Sequence, residues 1–217
     1  MDVLNKITKF VEEHHTTLVV VSKTYSSDRI MEVYDRGIRI FGENKVQEIL
    51  EKKDILPSDI QWHMIGHLQS NKVKQIIPFI TLIHSVDSEK LLNEIQKQAQ
   101  KIDRKVDVLL QMHIAKEETK FGLDENELKS ILEKLNSNQY SHVRIRGMMG
   151  MATFSDDMNI VRSEFKSLKI LFNQTKLNLQ NSAFDTLSMG MSGDYELAIE
   201  EGSNMVRIGS LLFGSRN

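Results

Sequence analysis

Apolar positions along this chain switch period repeatedly. Leu4, Ile7 and Val11 recur at helical spacing and predict an N-terminal helix. Leu18, Val19, Val20 and Val21 then run without a break, three of them β-branched, as in a strand buried on both faces. Ser26, Ser27 and Asp28 can cap a helix reaching about Arg36, where Gly37 stops it. A short strand is predicted over 38–41, ending at Gly42, and Val46, Ile49 and Leu50 restore the helical period. Residues 60–65 form the next strand, broken at Gly66, and Val73, Ile76 and Ile77 mark a helix ending near Pro78. A strand over 81–86 leads through Asp87 and Ser88 into a helix striped by Leu91, Ile95, Ala99 and Ile102.

The second half continues in the same way. Residues 106–114 predict a fifth strand. Asp124 and Glu127 form a capping-box pattern ahead of the apolar face Leu128, Ile131, Leu132 and Leu135. A strand over 143–148 precedes a long helix striped by Val161, Phe165, Leu168 and Phe172. Strands over 186–189 and 205–208 flank a short helix at 194–201, and a last turn or helix starts near Gly209. Strand and helix alternate throughout, which implies parallel βαβ units. An open doubly wound sheet and a closed (β/α)8 TIM barrel both accommodate the pattern. The count of eight strands favours the barrel. So does the first strand's exit through Ser22, Lys23, Thr24 and Tyr25, with no Gly-x-Gly-x-x-Gly or Walker pattern in the chain.

Composition narrows the class. The 217 residues are most simply one domain, 1–217, with enough chain for a proper core. A net charge of −2 gives no basic bias towards nucleic acid. Cysteine is absent, which excludes disulfides and thiolate metal sites and fits a reducing compartment. No apolar run approaches the roughly 20 residues that span a bilayer, and the N-terminus lacks a long apolar segment. A cytoplasmic protein that binds neither membrane nor nucleic acid is expected.

In such a barrel the chemistry sits at the C-terminal ends of the strands. Lys23 ends the first strand. Burial makes a lysine costly, so either its amine snorkels to water or it is a partly desolvated nucleophile able to react with a carbonyl. The last two loops carry Ser188, Gly190, Ser192, Gly209 and Ser210, small residues suited to cradling phosphate at a helix start, or to ordinary turns and caps. Arg207 lies at the end of the eighth strand. His63 and His67 are spaced as helical zinc ligands, but a strand and Gly66 argue against that, and no metal site is expected. Met148, Met149, Met151, Met189 and Met191 read as packing, or as the lining of an apolar pocket mouth. A reactive lysine together with a phosphate cradle suits pyridoxal 5′-phosphate, which carries both an aldehyde and a phosphate.

Seven blocks in order resemble the YggS/PROSC family of pyridoxal-phosphate-binding homeostasis proteins. They are Val20-Val-Ser-Lys23-Thr24, Phe41-Gly-Glu-Asn-Lys-Val-Gln-Glu48, Trp62-His-Met-Ile-Gly-His-Leu-Gln-Ser-Asn-Lys72, Lys120-Phe-Gly-Leu123, Arg146-Gly-Met-Met-Gly150, Leu187-Ser-Met-Gly-Met-Ser192 and Val206-Arg-Ile-Gly-Ser-Leu-Leu-Phe-Gly-Ser-Arg216. The resemblance implies a single barrel of the alanine racemase N-terminal domain type, with an extra N-terminal helix. It implies that Lys23 holds the cofactor as a Schiff base, that Ser188, Gly209 and Ser210 hold its phosphate, and that Arg207 faces its pyridine nitrogen. Asn44 and His67 would lie at the rim. The segment from Met151 to Phe154 departs from relatives that often carry a proline there.

A permanently charged guanidinium keeps a neighbouring pyridine nitrogen unprotonated and weakens the ring as an electron sink. The chain also leaves no residues for the second domain that supplies alanine racemase with its tyrosine base. The expectation is a cofactor carrier with no robust reaction, acting as a monomer on pyridoxal phosphate and on apo-enzymes that receive it. A racemase-like enzyme, with His67 or Tyr25 as second acid–base group, is the alternative. A barrel binding some other phosphorylated metabolite is a third reading.

Overall fold

The computed structural model describes residues 2–115, 121–136, 139–179 and 183–214. Lys120 and Arg216, both within the resemblance motifs, lie outside the described residues. Eight strands run in order: β1 (Thr17–Val21), β2 (Ile40–Glu43), β3 (Gln61–Met64), β4 (Leu82–Val86), β5 (Val106–Gln111), β6 (Val143–Met149), β7 (Thr186–Ser188) and β8 (Met205–Ile208). Each pairs in parallel with the next, and β8 returns to β1, so the sheet closes. Around it lie α1 (Val3–Glu13), α2 (Ser27–Tyr34), α3 (Val46–Lys53), α4 (Val73–Ile76), α5 (Glu89–Lys101), α6 (Glu125–Asn136), α7 (Met158–Leu179), α8 (Tyr195–Glu200) and α9 (Ser210–Phe213). The first of these is the expected extra N-terminal helix.

The capping chemistry explains where several helices start. The Ser26 hydroxyl accepts from Arg29 N at the start of α2, and the Ser88 hydroxyl from Leu91 N at the start of α5. Asp124 and Glu127 bond reciprocally, at 3.0 and 2.8 Å, which satisfies two orphan N–H groups of α6. Boundaries differ from expectation where packing overrules local pattern. Gly42 does not end β2 but sits inside it, paired with Val21 of β1 and His63 of β3, and a Cβ there would lie 3.0 Å from both Ile65 and Val19. β5 stops at Gln111, since Met112 bridges to Leu123 instead. Ile102 caps α5 from outside and is half exposed, not part of its buried stripe.

Two apolar layers result. The larger lies between the strands and their helices. A small one fills the barrel interior with Val19, Leu82, Leu109, Met149 and Met205. Side chains two apart on a strand share a face, so Arg207 follows Met205 into the barrel. Towards the strands' C-terminal ends the interior becomes polar, with His63, His84, Gln111, Ser188 and Arg207 all buried. Among the described residues no helix is long and apolar enough to cross a membrane.

Candidate functional site

The buried valines of β1 carry the chain to Ser22, and Lys23 leaves the barrel at its C-terminal rim. Lys23, Asn44, His67 and Arg207 line one cavity of about 250 Å³, together with Gln111 and Phe121. Four residues singled out in sequence, from four different strand ends, therefore converge. Gly66 makes part of this possible: a Cβ there would lie 2.5 Å from the Asn44 carbonyl oxygen. His67 stands exposed at the rim, with Nδ1 2.8 Å from Asp87 and its ring stacked on Phe121 at 4.5 Å. The Gln111 amide donates to the Phe121 carbonyl at 2.8 Å and ties that segment to β5. Met151 and Met191 line the same cavity, while Met148, Met149 and Met189 are core.

Arg207 is almost wholly buried. Its Nη1 donates to Ser188 Oγ at 2.6 Å and to the Ser188 carbonyl at 3.0 Å, and its Nη2 to the Gly150 carbonyl at 3.1 Å. Burial pulls the guanidinium down to about 10, against the attraction of Asp194, so it remains a cation at neutral pH. Ser188 is also fully buried and lies 3.1 Å from His84 Nδ1, and His84 Nε2 lies 3.0 Å from His63 Nδ1. Burial holds both histidines well below their ordinary value, His63 at about 3. With both rings neutral, one arrangement satisfies this whole chain. Arg207 donates to Ser188, the Ser188 hydroxyl donates to His84 Nδ1, and His84 Nε2–H donates to His63 Nδ1. His63 and His67 thus point to different places, one inside the barrel and one at its rim.

The residues expected to cradle phosphate have different partners. The Ser188 hydroxyl accepts from Arg207 and lies 3.1 Å from His84 Nδ1. Ser192, which the sequence also offers as a phosphate-cradling residue, accepts a hydrogen bond through its hydroxyl from Gly209 N at 3.3 Å. Gly209 precedes α9, and a Cβ on it would lie 2.9 Å from the Val21 carbonyl oxygen, so this loop lies against the end of β1 where Lys23 departs. Ser210 is exposed at the first position of α9. Gly190 takes a left-handed turn, φ 97°, packed against Ala198. Tyr25 does not line the cavity; its hydroxyl donates to Gly214 at 3.0 Å and its ring stacks on Phe213 at 4.2 Å. A larger hollow of about 430 Å³ opens beside α8, but its Arg162 is already paired with Glu200 and Glu201.

The residues fit pyridoxal phosphate in kind: an amine, a buried cation and a glycine-serine loop against the same strand end. Comparison with known proteins points the same way. The family described as alanine racemase, N-terminal domain, matches residues 4–217. The chain is 40% identical over 220 residues to the pyridoxal phosphate homeostasis protein of Aquifex aeolicus, covering 99% of this chain and 95% of that one. It is 37% identical over 212 residues to the human protein of that name, covering 92% and 76%. The solved structure of PipY from Synechococcus elongatus with pyridoxal phosphate bound superposes with a TM-score of 0.84 at 33% identity, covering 92% of this chain and 93% of that one. Alanine racemase from Bartonella henselae shares the fold, with a TM-score of 0.72 at 18% identity over 98% of this chain and 61% of that one. The chain belongs to the alanine racemase N-terminal domain family and, within it, to the YggS/PROSC family of pyridoxal phosphate homeostasis proteins.

Proposed function

We propose that this protein binds pyridoxal 5′-phosphate and holds it, covalently through Lys23, as a carrier in vitamin B6 homeostasis. The observation that carries this reading is the convergence of Lys23, Asn44, His67 and Arg207 on one cavity beside the Ser192–Gly209 contact. The cofactor would supply an aldehyde able to react with a lysine amine and a phosphate for its anchorage. Lys23 provides the amine. Gly209, Ser210 and Ser192 hold the phosphate, and Ser188 anchors Arg207 beneath it. The Arg207 cation disfavours protonation of any ring nitrogen placed against it, which suits holding the cofactor rather than chemistry on it. Asn44 and His67 border the open side. Apo-enzymes that require the cofactor are the proposed recipients, and a monomer in the cytoplasm is the proposed working form.

Retention without turnover also agrees with the cavity's lining. Among the described residues, its titratable lining besides Lys23 is His67 and Arg207. A racemase-like reaction needs a second group that moves a proton, and His67, held by Asp87, is the residue that would supply it. Visible absorbance of the purified protein with added pyridoxal phosphate, before and after borohydride, tests the main reading. Wild type develops a yellow band that borohydride removes, with a mass adduct on Lys23, and Lys23→Ala develops neither. A wild type that stays colourless in excess cofactor sinks the site. Lys23-dependent racemisation of alanine favours the enzyme reading.

A further inference from the structure

Behind Lys23, away from the cavity, lies a buried group of charges that the cofactor reading does not use. Glu43 is the last residue of β2 and is fully buried. Lys52, on α3, is also buried and places Nζ 2.7 Å from Glu43 Oε1, 3.0 Å from the Ser22 carbonyl and 3.3 Å from Glu48 Oε2. The Ser22 hydroxyl donates to the same Glu43 oxygen at 2.7 Å. Glu48 Oε2 accepts from Thr24 N at 2.6 Å. The two residues flanking Lys23 are thus both gripped, Ser22 through its carbonyl and hydroxyl, Thr24 through its amide. Thr24 itself takes an uncommon backbone shape, with φ 69° without being a glycine.

Stability alone accounts poorly for this arrangement. Buried ion pairs seldom repay their desolvation. Here the second Glu43 oxygen has no hydrogen-bond partner among the described residues, and burial pushes the carboxyl up to about 7 against the pull of Lys52 and Ser22. What the cluster does accomplish is local. It specifies the backbone on each side of one lysine that lines the cavity.

We propose that Glu43, Glu48 and Lys52 are positioning residues for Lys23, a clamp that sets the direction in which its amine enters the cavity. The inference rests on the cofactor reading above and names the device that makes Lys23 reactive there. A ligand pair separates positioning from general structure. Pyridoxal 5′-phosphate needs the Lys23 amine. Pyridoxine 5′-phosphate carries an alcohol in place of the aldehyde and needs only the phosphate and ring contacts. Both affinities are measured by titration on wild type, Lys52→Met and Glu48→Ala, with thermal unfolding alongside.

In the clamp variants pyridoxal phosphate binding weakens by about tenfold or more, the scale of losing a charged hydrogen bond. Pyridoxine phosphate binding stays within about twofold, since the contacts it uses lie outside the clamp. Glu48→Gln, which keeps an oxygen for Thr24 N–H, recovers most of the loss seen in Glu48→Ala. The clamp is overturned if both ligands weaken together, if neither weakens, or if neither clamp variant folds. A wild type that binds the two ligands equally, with Lys23→Ala making no difference, overturns the covalent reading and the clamp with it.

Discussion

Ser188 and Ser192 stand four residues apart in one methionine-glycine stretch and do different things. Ser188 faces into the barrel, where it links a buried cation to a buried histidine. Ser192 faces the loop before α9, where it touches Gly209. Ser188→Ala removes the partner of two buried polar groups and should lower the unfolding free energy by about 1–3 kcal/mol, read by urea denaturation. Ser192→Ala should leave stability within about 0.5 kcal/mol while weakening pyridoxal phosphate binding in a titration. Equal stability effects from the two would contradict this division. In sequence the serines are nearly equivalent, each a small hydroxyl residue near glycine and methionine. The difference lies in their partners, Arg207, His84 and Gly209, which no local pattern around residue 190 contains. Lys23 was more legible, because a lysine separated by a single serine from an unbroken run of four apolar residues is costly unless its amine reaches water or a partner.

At the scale of elements, β6 shows how a strand can be right in kind and hidden in detail. Its apolar pattern predicts a strand, and one is present. Its pairing with β5 slips: Ile145 stands opposite Val108, but Gly147, not Arg146, stands opposite Leu109. This is a bulge, and it turns Arg146 towards Asp107 and Asp185, each bonded at 3.1 Å. Gly147 carries φ 153°, and a Cβ on it would overlap the Thr186 carbonyl oxygen of β7. Gly147→Ala should therefore cost more than about 3 kcal/mol, or prevent soluble expression, through backbone strain together with the clash. Near wild-type melting of that variant would show that β6 and β7 are not so closely apposed. Read as sequence, Gly147 is a strand residue near a glycine-rich turn. Only the carbonyl of a neighbouring strand 39 residues away makes glycine necessary.

The polar barrel interior sets the acid sensitivity of the whole molecule. His63 and His84 are held neutral in the fold, so the unfolded chain takes up their protons as pH falls below the ordinary 6.5, and stability is lost. Glu43 acts in the opposite sense. Its raised value lets the fold take up a proton between about 7 and 4.5, which adds stability on acidification. Two histidines against one carboxyl leave about one extra proton on the unfolded chain, a fall of roughly 1.4 kcal/mol per pH unit between 6.5 and 4.5. Urea unfolding at pH 7.5, 6 and 5 checks this, and a flat or rising stability over that range would contradict it. The sequence by itself determined the alternation of strand and helix, the number of strands and the strand ends where polar residues collect, because hydrophobic period and capping chemistry act over a few residues. Tertiary structure alone decided which of those residues meet: the chain from Arg207 through Ser188 and His84 to His63, the contact of Ser192 with Gly209, and the bonds of Lys52 and Glu48 to the residues on either side of Lys23. These contacts join strands far apart in the chain, and their pairing depends on the register and stagger with which the barrel closes, which no local period encodes.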